Sequence, residues 1–149
     1  MGAILGARYH STAVIEDPAD DGSLLEDPRH PTGRPGSRAA HVRLGREGRE
    51  VSTVDLFGAG FVLLADGEGG RAWSDAGRLA SRRLGVALSR IVLGDDVVDV
   101  EGAWRSRYGV GAGGAVLVRP DGYVAWRATG PDPDPAATLE SALRRVLSR

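Results

Sequence analysis

The chain has 149 residues, enough for one domain with a buried core and too few for two of ordinary size. Its 19 basic and 20 acidic residues leave a formal charge of -1, without the basic excess that a nucleic-acid or anionic-membrane binder uses. Cysteine and lysine are both absent, which excludes disulfides, thiolate and CxxC redox chemistry, Cys-ligated zinc, Schiff-base catalysis and a P-loop lysine.

In chain order, residues 1–40 read as an extended arm. Glu16 to Gly22 and Asp27 to Pro31 are acidic and broken by prolines, which fix φ and remove backbone donors while like charges repel. Within this arm Tyr9–Ile15 has the pattern of a short strand. From His41 the character changes, so residues 41–149 are expected to form the folded domain. His41 to Leu44 alternates, Gly45 to Gly48 supplies a turn, and Val51 to Val54 returns, the pattern of a hairpin. Phe61 to Ala65 is a continuous apolar run, as in a strand buried on both faces.

A helix is predicted over Trp73–Leu84, with Ala76, Leu79, Ala80 and Leu84 on one face, Ser74 as its cap and Gly85 as its stop. Ser89 to Leu93 follows as a second strand. Val100, Trp104 and Tyr108 share one face of a short helix that Gly109 ends. Ala115–Val118 and Tyr123–Trp126 flank Pro120-Asp121-Gly122, a tight antiparallel hairpin. Asp134 then caps a last helix with Pro135 at its first position and Leu139, Ala142, Leu143, Val146 and Leu147 as its apolar stripe. The order from Phe61 is therefore β-α-β-α-β-β-α, an α/β thioredoxin-like topology preceded by a hairpin and an extended N-terminal arm. No apolar run approaches the ~20 residues of a membrane helix. Met1–Ala7 is too short for a secretory signal, so a cytoplasmic, membrane-free protein is expected.

Several groups are candidate sites. The loop Ala65 to Ala72 stands where a redox thioredoxin keeps its nucleophilic cysteine, and Gly111 to Ala115 stands where it keeps a cis-proline; both residues are missing. Gly67-Glu68-Gly69-Gly70-Arg71-Ala72 fits G-x-G-x-x-A between a strand and a helix, with Asp95 and Asp96 after the next strand. Asp66 and Glu68 would nevertheless set negative charge beside a pyrophosphate, so a flexible loop is the better reading. Gly109 to Gly114 also spells G-x-G-x-x-G, but it follows a helix and enters a strand.

His10, His30 and His41 have no ligand-like spacing. Ser52, His41 and Asp55 can be written as a Ser/His/Asp set, yet no nucleophile elbow accompanies them, and a surface histidine is expected. The acids of the arm lack a defined calcium loop. Trp73, Trp104 and Trp126 are candidates for an aromatic ligand cage; packing is the expectation for Trp104 and Trp126, with Trp73 left open. No catalytic, cofactor-binding or metal-binding residue is assigned.

Longer strings carry a resemblance. Arg8-Tyr9-His10-Ser11-Thr12-Ala13-Val14, Gly33 to His41, Ser52 to Gly58 with Phe61 to Leu64, and above all Gly114-Ala115-Val116-Leu117-Val118-Arg119-Pro120-Asp121-Gly122-Tyr123-Val124-Ala125-Trp126-Arg127 follow in order. Together they resemble the C-terminal thioredoxin-like region of FAD-dependent aromatic hydroxylases acting on tetracenomycin- and anthracycline-type polyketides, in the phenol hydroxylase-like superfamily. The resemblance implies a non-redox domain that packs on a flavoprotein body and is not catalytic by itself. FAD and NAD(P)H are then expected only in the flavoprotein portion, whose FAD and substrate domains are the implied partners, on the same or a separate chain; a homodimer is compatible with it. The alternative is a free-standing cysteine-less thioredoxin-fold module that binds a protein partner or a small aromatic ligand.

Overall fold

The computed structural model describes residues 36–147. The arm up to residue 35, including the Tyr9–Ile15 strand, His10, His30 and the acidic run, lies outside the described residues. The chain already packs from Gly36, ahead of the expected boundary at His41, and Ala39 and Ala40 are buried.

The expected hairpin is present as β1 (Arg43–Arg46) and β2 (Arg49–Ser52), paired antiparallel with Gly45 opposite Glu50. Its turn is tighter than expected: only Glu47 and Gly48 lie outside the strands, both with positive φ (52° and 77°), the geometry whose twist matches a two-residue hairpin loop. A 3-10 turn, Thr53–Leu56, follows, with Ser52 as its cap.

The main sheet contains β3 (Phe61–Ala65), β4 (Leu88–Val92), β6 (Ala115–Val118) and β7 (Val124–Ala128), in the order β4-β3-β6-β7. β3 and β4 are parallel, and β6 runs antiparallel to both β3 and β7. The crossover helix α1 (Gly70–Leu84) connects the parallel pair, α2 (Trp104–Tyr108) precedes the closing hairpin, and α3 (Pro135–Val146) ends the domain. This is the thioredoxin-like β-α-β-α-β-β-α arrangement, with extra strands at its N-terminal side.

The apolar run of β3 is buried on both faces because successive side chains alternate across a strand. Val62 and Leu64 enter a core with Leu44, Trp104, Tyr108, Val116 and Val118. Leu63 and Ala65 enter the opposite core with Trp73, Leu117, Leu139 and Leu143. Each fully buried leucine contributes on the order of 2 kcal/mol to folding. In α3 the Asp134 side chain accepts from the Ala137 amide at 3.2 Å, Pro135 opens the first turn, and Leu139, Ala142, Leu143 and Val146 are buried, as the periodicity predicts.

Three expectations need correction. α1 begins three residues earlier than predicted, with Gly69 as its cap, so Ser74 lies inside the helix, where its carbonyl and hydroxyl accept from Arg90. Leu79 is 44% exposed; the buried stripe is Trp73, Ala76, Gly77, Ala80 and Leu84, and Leu79 sits about 120° around the helix from its centre. Val100 is outside α2. It follows a two-residue strand, β5 (Val98–Asp99), which pairs with β1 to make a second sheet, β2-β1-β5, that the sequence reading lacks.

Candidate functional site

In thioredoxin-like topologies chemistry is placed at the C-terminal ends of the parallel strands, where loops and a helix N-terminus converge. Here those ends border an open cleft of about 450 Å³, lined by Asp66, Glu68, Asp99, Trp104, Arg105 and the backbone near Leu93 and Gly94. Its floor is Asp66, the residue after β3, which is 2% exposed.

The Asp66 carboxylate is the acceptor for three separate segments. Oδ1 accepts from Trp104 Nε1 at 3.0 Å and Arg105 Nε at 2.9 Å. Oδ2 accepts from Arg105 Nη2 at 2.8 Å and from the amides of Glu68 and Gly113, each at 3.2 Å. Burial alone would raise the pKa of this acid. The Arg105 guanidinium, then the Gly113 amide, the Trp104 indole and the Glu68 amide outweigh it and hold the carboxyl below the usual aspartate range. Asp66 therefore stays ionised in a nearly water-free position because charge and donors surround it. The sequence reading treated it only as an unfavourable neighbour for a phosphate; the available signal was an acid directly terminating a fully apolar strand.

The glycine fingerprint is explained by close backbone approach. A Cβ on Gly67 would stand 2.5 Å from the Leu93 carbonyl oxygen and one on Gly70 2.6 Å from Val92 Cγ1, while Gly69 has a left-handed φ of +71°. Gly113 has φ +79° and is covered by Pro131, which favours glycine there. Its carbonyl accepts from Trp73 Nε1 at 2.8 Å. With the ionised Asp66 and the Leu93–Gly94 backbone already seated on it, this loop does not fit a dinucleotide pyrophosphate. The second match, Gly109 to Gly114, is likewise structural: the Gly111 amide donates to Thr129 O, and a Cβ on Gly114 would meet Ala128 O at 2.8 Å.

His41 and Ser52 do meet across the hairpin, Nδ1 to Oγ at 2.5 Å, on the exposed side. Asp55 does not complete a triad. Its carboxylate accepts from the Ser52 amide at 3.0 Å, while Ser52 Oγ accepts from the Val54 amide at 3.1 Å, a reciprocal capping box. Ser52 is thus committed to the 3-10 turn, and His41 remains a surface residue. All three tryptophans are packed: Trp73 is 1% exposed, with its ring 5.5 Å edge-on from Trp126, and Trp104 lies 5.0 Å from Tyr108 with the rings tilted by 41°. Trp73, left open by the sequence, is a core residue. Among the described residues no three His, Asp or Glu gather as metal ligands, and no helix is long and apolar enough to cross a membrane.

Comparison with known proteins identifies this architecture. Residues 32–149 match the family model of the aromatic-ring hydroxylase C-terminal region. The chain belongs to this family. It is 49% identical over 146 residues to aklavinone 12-hydroxylase of Streptomyces purpurascens, covering 98% of the chain and 27% of that protein. It is 47% identical over 150 residues to 4-methyl-5-nitrocatechol 5-monooxygenase of a Burkholderia species, covering 97% of the chain and 27% of that protein. Among solved structures, aklavinone-11 hydroxylase bound to FAD and aklavinone superposes with a TM-score of 0.91 at 50% identity, over 97% of this chain and 27% of that one. The chain spans little more than a quarter of the length of these relatives, and FAD is associated with the larger flavoproteins.

Proposed function

We propose that this chain serves as the non-redox tail domain of an FAD- and NAD(P)H-dependent aromatic polyketide hydroxylase, packing on the flavoprotein body and contributing no catalytic group. The observation that carries this reading is the filling of the strand-end site by Asp66 and glycine backbone, in a chain that matches the family's C-terminal region and covers 27% of its relative's length. Residues 1–40 then act as the connector, and the partners are the FAD and substrate domains, on the same or a separate chain. A homodimer contact and a cytoplasmic location belong to the same reading. The polyketide substrate rests on relatives such as tetracenomycin A2 monooxygenase-dioxygenase of Streptomyces glaucescens, 43% identical over 97% of the chain.

The test is the size of the native product, read by immunoblot of the source cells with antibody raised to this chain. A band several times heavier than 15.6 kDa is expected. A band at that mass, with no flavoprotein co-purifying, overturns the reading in favour of a free-standing binding module.

A further inference from the structure

α2 has five residues, far below the length at which a helix holds itself together in water, so its position is set by what it touches. Its first turn belongs to the cleft. Asp99 accepts from the Ala103 and Trp104 amides at 3.2 and 2.9 Å, and Trp104 and Arg105 both close on Asp66. Its last turn belongs to the segment by which the chain enters the domain. Tyr108 Oη donates to Ala40 O at 2.6 Å, beside Thr53 Oγ1 at 2.7 Å on the same carbonyl, and Arg107 Nη1 donates to His41 O at 2.8 Å.

That entering segment is also bound on its far side. The Gly36 amide donates to Val124 O and the Ala39 amide to Gly122 O, each at 2.8 Å, and the Thr53 amide donates to Val42 O at 3.0 Å. The cleft and the entry segment are therefore one helical turn apart, about 5 Å along the axis. The two turns are also joined by the Trp104–Tyr108 ring contact, both rings being buried. Because both sets of contacts are made from a single five-residue helix, neither turn has a neighbouring turn to re-anchor it once its own contacts are lost.

We propose that α2 is a coupling strap: the hold on residues 36–42 and the closure of the Asp66 cleft are one equilibrium, so whatever engages or releases Arg105 at the cleft alters how firmly the chain is held where it enters. This goes beyond the packing role proposed above and concerns this chain whatever precedes it.

Amide hydrogen exchange on the full 149-residue chain tests it. In Asp66→Asn, exchange at Ala39, Val42 and Thr53 is expected to rise at least about tenfold beyond the rise that the global loss of stability produces at the buried turns of α1. The Leu147 amide and the buried turns of α1 should rise distinctly less. Arg105→Gln, which keeps the Asp66 bond to Trp104, should give the same pattern with smaller amplitude. The converse variant is decisive, because coupling between two sites must be reciprocal: Tyr108→Phe, which keeps the ring, should raise exchange at Glu68 and Gly113, the amides bound to Asp66. A rise in Asp66→Asn confined to Glu68 and Gly113, an equal rise across α1 and α3, or an unchanged Glu68 and Gly113 in Tyr108→Phe would each overturn the strap.

Discussion

The two ends of α1 border different kinds of interior. Along its length, α1 packs on α3 and the sheet through Trp73, Ala76, Ala80, Leu139 and Leu143, an apolar layer whose stability comes from area removed from water. At its N-terminal end the same sheet stops at Asp66, where a buried carboxylate gathers a guanidinium, an indole and two amides from three segments. The first region depends chiefly on apolar volume, and its buried side chains carry no titrating group. The second depends on its acceptor, since removing the Asp66 carboxylate leaves the Trp104 indole and the Gly113 amide buried without it. In this thioredoxin-like fold the apolar layers thus end, at the strand termini, in a polar junction.

The largest separation between the two regions comes from paired substitutions. Leu143→Ala, in the fully buried stripe of α3, should cost about 4 kcal/mol in urea unfolding, with no pH dependence of its own. Asp66→Asn should cost on the order of 3 kcal/mol near neutral pH, less than a fully buried pair because Arg105 is half-exposed and can reach water. The sign of its pH dependence follows from the depressed folded pKa of Asp66. Its stabilisation is fully present above the ordinary aspartate value, about 3.9, and is lost as pH falls through the lower folded value. The gap between wild type and Asp66→Asn should therefore narrow on acidification below about pH 4, while the gap for Leu143→Ala persists. Glu140 and Glu50 are also held low by Arg83 and Arg43 respectively, so Asp66→Asn retains some acid sensitivity. A pH-independent gap for Asp66→Asn would break the comparison.

This contrast also explains how much was legible in the sequence. The apolar layer announces itself by periodicity: Phe61–Ala65, the stripe of α3 and the 115–128 hairpin were read with bounds within two residues of those observed. Leu79 was misplaced by counting a helical face too broadly, and Val100 by extending the face of α2 beyond its first turn. The junction has no period. Trp104, Arg105 and Gly113 lie 38 to 47 residues beyond Asp66, and only the folded sheet brings them to it. β5 escaped for a related reason, since two residues are too few to show alternation and their pairing with β1 is set by tertiary packing. The Gly67–Ala72 match was real as spelling and misleading as chemistry, because close backbone packing and phosphate binding both call for glycine.

Gly67→Ala distinguishes those two uses with an effect of about 2 kcal/mol, the scale of a local overpacking. The added methyl would meet the Leu93 carbonyl oxygen, so the β3–α1 loop must shift, and the melting temperature should fall. FAD, FMN, NAD and NADP should leave that temperature unchanged in both proteins, because a ligand that binds the native state must raise it. An unaffected Gly67→Ala protein, or stabilisation by one of these nucleotides, would return the loop to the list of binding sites.

The smallest effect belongs to the hairpin, where Ser52, His41 and Asp55 imitate a catalytic set while doing local structural work. Ser52→Ala removes the acceptor for the Val54 amide and should cost about 1 kcal/mol, the usual value for a lost helix cap. Ser52→Thr keeps the acceptor and should restore most of it, whereas His41→Ala, at an exposed ring, should change stability within ~0.5 kcal/mol. A nucleophile activated by His41 would reverse that order in an activity assay. His41→Ala would then be as damaging as Ser52→Ala, and a fluorophosphonate probe would label the protein at Ser52. Absence of labelling together with the stability ranking Ser52→Ala below Ser52→Thr would place this trio with the caps that fix turns, on the structural side of the same division that separates the apolar layer from the Asp66 junction.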